Sequence, residues 1–225
     1  MSIPVITIDG PGGSGKGTIA VRLAQQLGWH FLDSGALYRI VAVAAMERAI
    51  GADDEKALGE LAGQLNVSFS LVDGEVVILL DGNRITARLR SEKAGVFASK
   101  IAALPAVRAA LVQRQRAFRK LPGLVADGRD MGTVIFPDAK LKIFLTASAR
   151  ARADRRYKQL KEKGESVNLT RLFRDIKKRD ERDMSRSISP LTPAEDAQLI
   201  DSTEMSIEMV LEEVHKLLEK NKVID

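Results

Sequence analysis

Apolar positions follow two patterns along the chain, and each pattern indicates one kind of element. Short apolar runs are typical of buried strands, whereas apolar residues that recur every three or four positions indicate amphipathic helices. The runs predict strands over residues 3–8, 29–32, 124–126, 140–146 and 199–201. The helical spacing predicts helices over residues 17–27, 34–48, 53–63, 91–104, 105–120, 148–163, 169–185 and 206–220. Strands that alternate with helices predict an α/β fold, a three-layer core in which a parallel sheet has helices on both faces.

Residues 66–86 have a different pattern from the rest of the chain. Two β-rich runs, Val67–Leu71 and Glu75–Leu80, flank the dipeptide Asp73-Gly74, and Asp-Gly between such runs is a hairpin signal. A further turn is indicated at Asp81–Asn83. The segment therefore predicts a small antiparallel sheet inserted into the α/β core.

Length and composition restrict the class of protein. A chain of 225 residues buries a substantial core, as one domain or one domain with inserted subdomains. No apolar run is long enough to span a bilayer, and no basic segment followed by an apolar block indicates a signal peptide. The chain has no cysteine, which excludes disulfides and thiolate metal sites. We expect a cytoplasmic protein.

The net charge of +5 raises the question of a polyanionic partner. The most basic stretch, Arg150–Arg186, is interleaved with acidic residues. These are Asp154, Glu162, Glu165, Asp175, Asp180, Glu181 and Asp183. Mixed charge suits a flap that closes over phosphates better than a nucleic-acid groove, and seven Phe, two Tyr and one Trp offer few stacking surfaces. We expect a monomer that binds neither nucleic acid nor membrane.

The clearest motif is Ile6–Thr18, a strand followed by Gly-x-x-x-x-Gly-Lys and a helix. Such a glycine-rich turn curls its N–H groups around phosphates, aided by the positive end of the following helix and by the lysine charge. An ordinary βα turn is the alternative interpretation. The predicted phosphate-binding residues are Gly10, Pro11, Gly12, Gly13, Ser14, Gly15, Lys16, Gly17 and Thr18.

The position after the motif's lysine usually carries a hydroxyl that binds magnesium, but here it is Gly17. The hydroxyl follows one residue later, at Thr18. The metal ligands are therefore left open, with Thr18, Asp9 or Asp127 acting through water as the candidates.

Arginines with helical spacing precede Pro190. Arg179, Arg182 and Arg186 recur at i, i+3 and i+7, and Asp183 lies on the same side. A solvated, salt-bridged helix face is one interpretation. A lid that follows a hinge at Gly164 and excludes water from phosphates is the other.

Two further polar segments follow predicted strands. Asp33 or Ser34 is suited to cap the next helix, yet Ser34 with Arg39 one turn inside equally suits a second anion or ribose site. Asp127–Asp130 lies at the carboxyl end of a strand, where side chains of open α/β sheets face the ligand crevice.

Taken together, these segments resemble the bacterial cytidylate kinases, a family of nucleoside monophosphate kinases. The matching segments are Thr7–Thr18, Leu32–Arg39, Ala126–Thr133 with Phe136-Pro137, and Arg179 through Arg182-Asp183 and Arg186 to Pro190. They occur in the family's order over nearly the whole chain, and the family's own loop also has Gly then Thr after its lysine. The resemblance implies transfer of the ATP γ-phosphate to CMP or dCMP with Mg²⁺.

The resemblance also implies a division of the single kinase domain. The core would comprise about residues 1–33, 105–154 and 187–225. The monophosphate-binding region would span about 34–104 and the lid about 155–167, followed by an arginine-bearing helix over about 168–186.

Residue roles follow from the same resemblance. It implies that Gly12–Thr18 hold the donor phosphates, while Arg39, Arg129 and Arg186 hold the acceptor phosphate or the transferring group. It implies that Arg179 and Asp183 face the acceptor's sugar, and that Lys16, Arg129, Arg179 and Arg186 are the catalytic cations. Cytosine would be read by Ser34, Ser99, Arg108 and Asp130, of which Ser99 and Arg108 lack a local signature. A hydroxyl or carboxylate accepts from the cytosine amine, and an arginine donates to N3 and O2.

Three other functions are compatible with a phosphate loop. The same core suits a kinase for another monophosphate or small metabolite. A basic ATPase on nucleic acid would bind in a salt-dependent way. A nucleotide sensor would bind ATP without turnover.

Overall fold

The computed structural model describes residues 3–72, 75–85, 89, 91–162 and 164–223. The strands are β1 (Val5–Asp9), β2 (His30–Asp33), β3 (Val67–Val72), β4 (Glu75–Leu80), β5 (Asn83–Arg84), β6 (Leu124–Gly128), β7 (Leu141–Thr146) and β8 (Gln198–Asp201). The helices are α1 (Lys16–Leu27), α2 (Ser34–Glu47), α3 (Glu55–Gln64), α4 (Glu92–Ile101), α5 (Pro105–Arg116), α6 (Ala149–Glu162), α7 (Leu169–Met184) and α8 (Ile207–Lys220). A single turn of π-helix follows β6, at Met131–Ile135.

The chain divides into two compact units. The first unit comprises residues 1–5 and 20–128, and the second comprises residues 6–19 and 129–225. Strands are parallel in both: β2 pairs with β6 in the first unit, and β7 pairs with β1 and β8 in the second. The predicted α/β class with parallel strands is confirmed.

Helices α2 to α5 accompany the strand pair of the first unit. Helix α2 packs against α4, and α3 packs against α5. The residue before α5, Leu104, makes no side-chain cap, but the Glu55 carboxylate on α3 accepts from the N–H of Ala106 at 2.8 Å. A donor that the first turn of α5 leaves unpaired is thus satisfied by a neighbouring helix.

The first unit also contains the small antiparallel sheet predicted over 66–86. Strands β3 and β4 pair from Val67 opposite Leu80 to Val72 opposite Glu75, and β5 pairs with β4. The predicted Asp73-Gly74 turn lies outside the described residues. The pairing of β3 with β4, the strands on either side of that turn, confirms the inserted sheet.

The second unit is built on three parallel strands. In the β1–β7 register, Ile6 lies opposite Leu141 and Asp9 opposite Phe144. All five residues of β1 are buried, as expected of a parallel strand covered on both faces. Helices α6 and α7 pack against each other in the same unit.

Several predicted boundaries differ from the structure. The helix predicted to run to Lys120 ends at Arg116, and the helix predicted over 91–104 ends at Ile101. The strand predicted over 124–126 continues to Gly128. Among the described residues, no single helix is long and apolar enough to cross a membrane; α4 and α5 pass that test only as a pair bent by 98°.

Candidate active site

The phosphate loop lies between β1 and α1. Its backbone turns through Gly13 and Gly15, whose φ angles of 82° and 96° are left-handed values that side chains rarely tolerate. Lys16 is the first residue of α1, and its buried Nζ donates to the carbonyl of Pro11 at 3.3 Å. The lysine charge therefore lies against the loop that precedes it, as the motif predicts.

The loop is anchored through the carbonyl of Ser14. This oxygen accepts from the Ser202 hydroxyl at 3.0 Å and from Nη1 of Arg155 at 3.4 Å. Arg155 also donates to the Ser202 carbonyl, while the Ser202 hydroxyl reaches the Thr146 carbonyl at the end of β7. These contacts hold the loop to strand β7 and helix α6 within the second unit.

A cavity of about 510 Å³ opens beside the loop. The loop residues Gly13–Thr18 line one side of it, α6 contributes Arg152, Arg155 and Gln159, and the segment Ser202–Val210 closes another side. This volume lies within the range of small-molecule sites, and the phosphate loop forms part of its wall. The cavity is the candidate site of the donor nucleotide.

Arg152 on α6 ties three segments of the second unit together. Its guanidinium makes a bidentate pair with the Asp180 carboxylate on α7, with N···O distances of 3.0 and 2.5 Å. Nη1 also donates to the carbonyl of Gly12 at 3.0 Å, and Nε donates to that of Ala147 at 2.9 Å. Sequence reasoning did not single out this residue, because two of its partners, Gly12 and Asp180, are distant in the chain.

Asp183 is the centre of an arginine cluster. Its carboxylate is 2% exposed and lies 3.1 Å from Nε of Arg129, 2.5 Å from Nη2 of Arg186 and 3.9 Å from Nε of Arg179. Three cations share one anion, so the cluster has excess positive charge. Such a cluster is suited to bind phosphate groups.

Opposing effects set the pKa of Asp183. Burial is the largest and by itself raises the pKa of this carboxyl. The charges of Arg129, Arg186 and Arg179 act the other way, and together they hold the pKa of Asp183 below its ordinary value of 3.8. Asp183 is therefore ionised at neutral pH.

The arginine cluster also reaches the phosphate loop. A Cβ built on Gly12 would lie 3.4 Å from Nη2 of Arg129 and 3.4 Å from Nη1 of Arg179. These two guanidinium groups and Lys16 therefore belong to one cationic region of the second unit. The structure brings together predicted residues that are more than a hundred positions apart in the chain.

Arg186 does not lie on the helix on which the sequence pattern places it. The spacing placed it on the same helix face as Arg179 and Arg182, but α7 ends at Met184 with Ser185 as its C-cap. Arg186 lies beyond the helix and still donates to Asp183. Its place in the cluster therefore depends on the chain after α7 and not on helical periodicity.

Asp9, at the end of β1, holds the π-helical turn. Its two carboxylate oxygens accept from the N–H groups of Met131 and Gly132 at 2.9 and 2.8 Å. The turn follows directly after Arg129 and the buried Asp130, whose carbonyl accepts from Val134. Asp9 therefore fixes the backbone beside two predicted site residues, a role that sequence reasoning missed.

In the first unit, Ser34 is the first residue of α2. The helix is capped by Asp33, whose carboxylate accepts from the N–H of Ala36 at 2.8 Å, so Asp33 is the cap and Ser34 is not. The buried Ser34 hydroxyl donates to Oε1 of Gln115 on α5 at 2.7 Å. Its side chain is therefore positioned by a second helix.

The other predicted base and phosphate residues of the first unit lie on α2, α4 and α5. Arg39 on α2 donates to the carbonyl of Leu89 at 2.8 Å. The buried Arg108 on α5 donates to the hydroxyl of Tyr38 at 3.4 Å. Ser99 is buried on α4, which packs against α2. Arg39 and Arg108 are therefore each held by a hydrogen bond within the first unit.

The candidate metal ligands do not form a cluster. Among the residues that the structure describes, no group of three or more His, Cys, Asp or Glu side chains is arranged to hold a metal ion. Thr18 is exposed on α1, and Asp127 is buried on β6.

Comparison with known proteins identifies the family. The cytidylate kinase family profile matches residues 6–220. A cytidylate kinase of Stutzerimonas stutzeri is 59% identical over 94% of this chain and 93% of its own length. A cytidylate kinase of Klebsiella pneumoniae is 56% identical over 94% and 93%, and one of Colwellia psychrerythraea is 56% identical over 95% of each.

A solved structure of shikimate kinase from Bacteroides thetaiotaomicron covers 96% of this chain and 98% of its own, with 12% identity and a TM-score of 0.46. The family profile spans nearly the whole chain, and relatives above half identity cover it to the same extent. The chain belongs to the cytidylate kinase family.

Proposed function

We propose that this protein transfers the γ-phosphoryl group of ATP to CMP or dCMP, forming ADP and CDP or dCDP. Family membership supports the reaction class, and the phosphate loop beside the cavity of about 510 Å³ is the observation that carries it. The loop, the helix N-terminus and Lys16 together suit a triphosphate. The chain is thus proposed to be a nucleotide kinase and not a sensor.

Phosphoryl transfer depends mainly on positioning and on neutralising charge. We propose that Lys16 binds the outer donor phosphates and that Arg129 and Arg186 hold the acceptor phosphate or the transferring group. Arg179, a further catalytic cation, is proposed to face the acceptor's sugar together with Asp183. The Asp183 carboxylate supports this role because it keeps three mutually repelling guanidinium groups within 3.9 Å. Acceptor phosphates are already anionic at neutral pH, so no general base is required.

Base recognition is proposed to involve Ser34, Ser99, Arg108 and Asp130. The cytosine amine donates to a hydroxyl or carboxylate, whereas its N3 and O2 accept from an arginine. Uracil presents an acceptor at C4 and a donor at N3, so the same set opposes it. Arg39 is proposed to bind the monophosphate.

Mg²⁺ is proposed to enter with ATP. Magnesium commonly keeps several waters and is held by substrate phosphates with one or two protein groups. Thr18 is the proposed hydroxyl ligand, with Asp9 and Asp127 acting through water. Both oxygens of Asp9 already accept backbone hydrogen bonds, which favours an indirect contact for that residue. The ion would supply charge neutralisation at the phosphates.

The decisive experiment is a steady-state assay with ATP, Mg²⁺ and each of CMP, dCMP, UMP and AMP. We expect CDP and dCDP formation, with the highest kcat/KM for the cytosine nucleotides. Absence of CDP would contradict the proposed reaction, and a preference for UMP would contradict the cytosine-reading set. Turnover of AMP above CMP would assign the core to another nucleotide.

The nucleic-acid alternative is tested in the same preparation. ATP hydrolysis without acceptor is measured with and without single-stranded RNA and DNA at low and high salt. We infer that the protein is a cytoplasmic monomer and that its partners are small nucleotides. Because nucleic acid is not among these partners, we expect RNA and DNA to leave the rate of ATP hydrolysis unchanged. Stimulation that weakens steeply with salt would favour the alternative.

A further inference from the structure

Gln115 is a buried glutamine with one polar contact. Its side chain lies on α5 and is 0% exposed. Its Oε1 accepts from the Ser34 hydroxyl at 2.7 Å. Its Nε2 is also buried and has no hydrogen-bond partner among the residues that the structure describes. Within the described part of the chain, the amide therefore interacts with a single polar group, and that group is a predicted base-reading residue.

Stability does not explain an amide at this position. A buried donor without an acceptor costs about 1–3 kcal/mol, and an apolar side chain of similar shape avoids that cost. Helix α5 also buries the apolar side chains of Val107 and Leu111. An apolar residue at position 115 therefore fits the same surroundings. The contact with Ser34 is what an apolar side chain would lose.

The contact determines how Ser34 presents its hydroxyl. A serine hydroxyl has one hydrogen to donate and lone pairs that accept. Because Ser34 donates its hydrogen to Oε1 of Gln115, only lone pairs remain for another partner. With Gln115 in place, Ser34 acts as an acceptor, whereas a serine without that contact rotates to donate or to accept.

This difference separates the two pyrimidine bases. The exocyclic amine of cytosine donates a hydrogen bond, whereas the oxygen at the same position of uracil accepts one. We propose that Gln115 is a positioning residue that holds Ser34 in its acceptor state and thereby favours cytosine over uracil monophosphates. This inference rests on the proposed function, in which Ser34 contacts the base.

The test is the Gln115→Met variant, which keeps the side chain's length and removes the acceptor. The measured quantity is kcat/KM for UMP divided by kcat/KM for CMP. We expect this ratio to rise about tenfold or more, because Ser34 regains a hydrogen for the uracil oxygen. Gln113→Met, an exposed position on the same helix, is the matched control and leaves the ratio unchanged.

Thermal unfolding separates this effect from damage to the fold. Gln115→Met removes a buried Nε2 donor that has no partner among the described residues, but it also removes the acceptor of the Ser34 hydroxyl, so we expect the two effects to offset and the variant to unfold close to the wild-type temperature. Gln115→Leu is the second variant in case the methionine packs poorly. A folded variant of either kind with the wild-type ratio would overturn the inference.

A double-mutant cycle with Ser34→Ala tests the route. If Gln115 acts only through the Ser34 hydroxyl, Gln115→Met changes the ratio by less than about twofold when Ser34 is already alanine. An equal rise in both backgrounds would overturn the inference while leaving the proposed function intact. Failure of the wild-type protein to make CDP would overturn both.

Discussion

Lys16 contributes a positive charge at the start of the phosphate loop's helix. It begins α1, and its Nζ already contacts the loop at the carbonyl of Pro11. Gly13 and Gly15 let the loop curl, while the lysine is proposed to neutralise the phosphates that the loop would bind. Charge and backbone shape therefore make separate contributions at this point of the chain.

We predict that Lys16→Met lowers kcat for CMP phosphorylation by about a thousandfold or more. A single cation on the transferring group supplies gains of that order in phosphoryl transfer. Steady-state kinetics with ATP and CMP measures the loss. The control is Lys140→Met, an exposed lysine in the same unit, which keeps wild-type kcat. A loss below about tenfold for Lys16→Met would contradict the role of this lysine.

Asp183 is the residue on which the arginine cluster depends. We predict that Asp183→Asn lowers the free energy of unfolding by about 3–5 kcal/mol, because three cations then lose their buried anion. Denaturant unfolding at neutral pH measures the difference. Asp154→Asn removes an exposed pair with Arg150 and costs less than about 1 kcal/mol. Equal effects of the two variants would contradict the prediction.

The same carboxylate predicts a pH dependence. Its pKa in the folded protein is lower than in the unfolded chain, so its contribution to stability is present above about pH 3.8 and is lost as pH falls through the folded pKa. The unfolding free-energy difference between wild type and Asp183→Asn is therefore expected to shrink on acidification. A difference that stays constant or grows as the pH falls below 3.8 would contradict the assignment.

Helices α6 and α7 are connected by a polar contact that also reaches the phosphate loop. The bidentate pair between Arg152 and Asp180 joins the helices, and the bond to the Gly12 carbonyl joins them to the loop. A planar guanidinium makes all these contacts at once, and an ammonium does not. The position of the phosphate loop therefore depends on a guanidinium group at position 152, and a positive charge alone is not sufficient.

We predict that Arg152→Lys lowers kcat/KM for ATP by about tenfold to a hundredfold, since small displacements of phosphate-binding groups are costly. Arg150→Lys, at an exposed position two residues away on the same helix, is the matched control and leaves kcat/KM unchanged. A wild-type value for Arg152→Lys would show that charge alone suffices at this position.

Gly123, the residue before strand β6, has no room for a larger side chain. A Cβ there would overlap the indole ring of Trp29. We predict that Gly123→Ala lowers the unfolding free energy by about 1–3 kcal/mol through overpacking. Gly63→Ala is the control, because nothing lies within 4 Å of its Cβ and alanine favours helix α3. Thermal or denaturant unfolding of both variants decides the point.

At the scale of the whole molecule, the net charge of +5 includes an arginine cluster around one carboxylate and paired surface residues. Arg129, Arg179 and Arg186 share Asp183, whereas Arg150 and Arg171 form exposed pairs one turn along their helices. A basic balance of this kind is consistent with small anionic substrates.

We predict that ATP and CMP each stabilise the folded protein. At a hundred times Kd, each ligand adds about 2.7 kcal/mol, which corresponds to a rise in Tm of about 5–10 °C for a chain of this size. Cytidine is the control for CMP, because it lacks the phosphate and raises Tm much less. A Tm unchanged by CMP but raised by ATP would contradict an acceptor site for this nucleotide.

Local pattern was sufficient for much of the fold. Strand β1, the glycine-rich turn and helix α1 follow from apolar runs, glycine spacing and helical periodicity, all of which act within a few residues. The antiparallel insert was likewise predictable from two β-rich runs around a turn. Helix ends were less predictable: α5 stops at Arg116 although its pattern continues to Lys120.

Contacts between distant segments were decided only by tertiary packing. Arg129 and Arg186 meet at Asp183 because the segment that begins the π-helical turn and the chain beyond α7 converge within the second unit, and no spacing in the sequence encodes that convergence. Asp9 on Met131 and Ser34 on Gln115 are side-chain contacts of the same kind. Motifs reveal which groups bind phosphate, because phosphate binding uses adjacent backbone amides. Orientation of a single hydroxyl requires the folded neighbour that holds it.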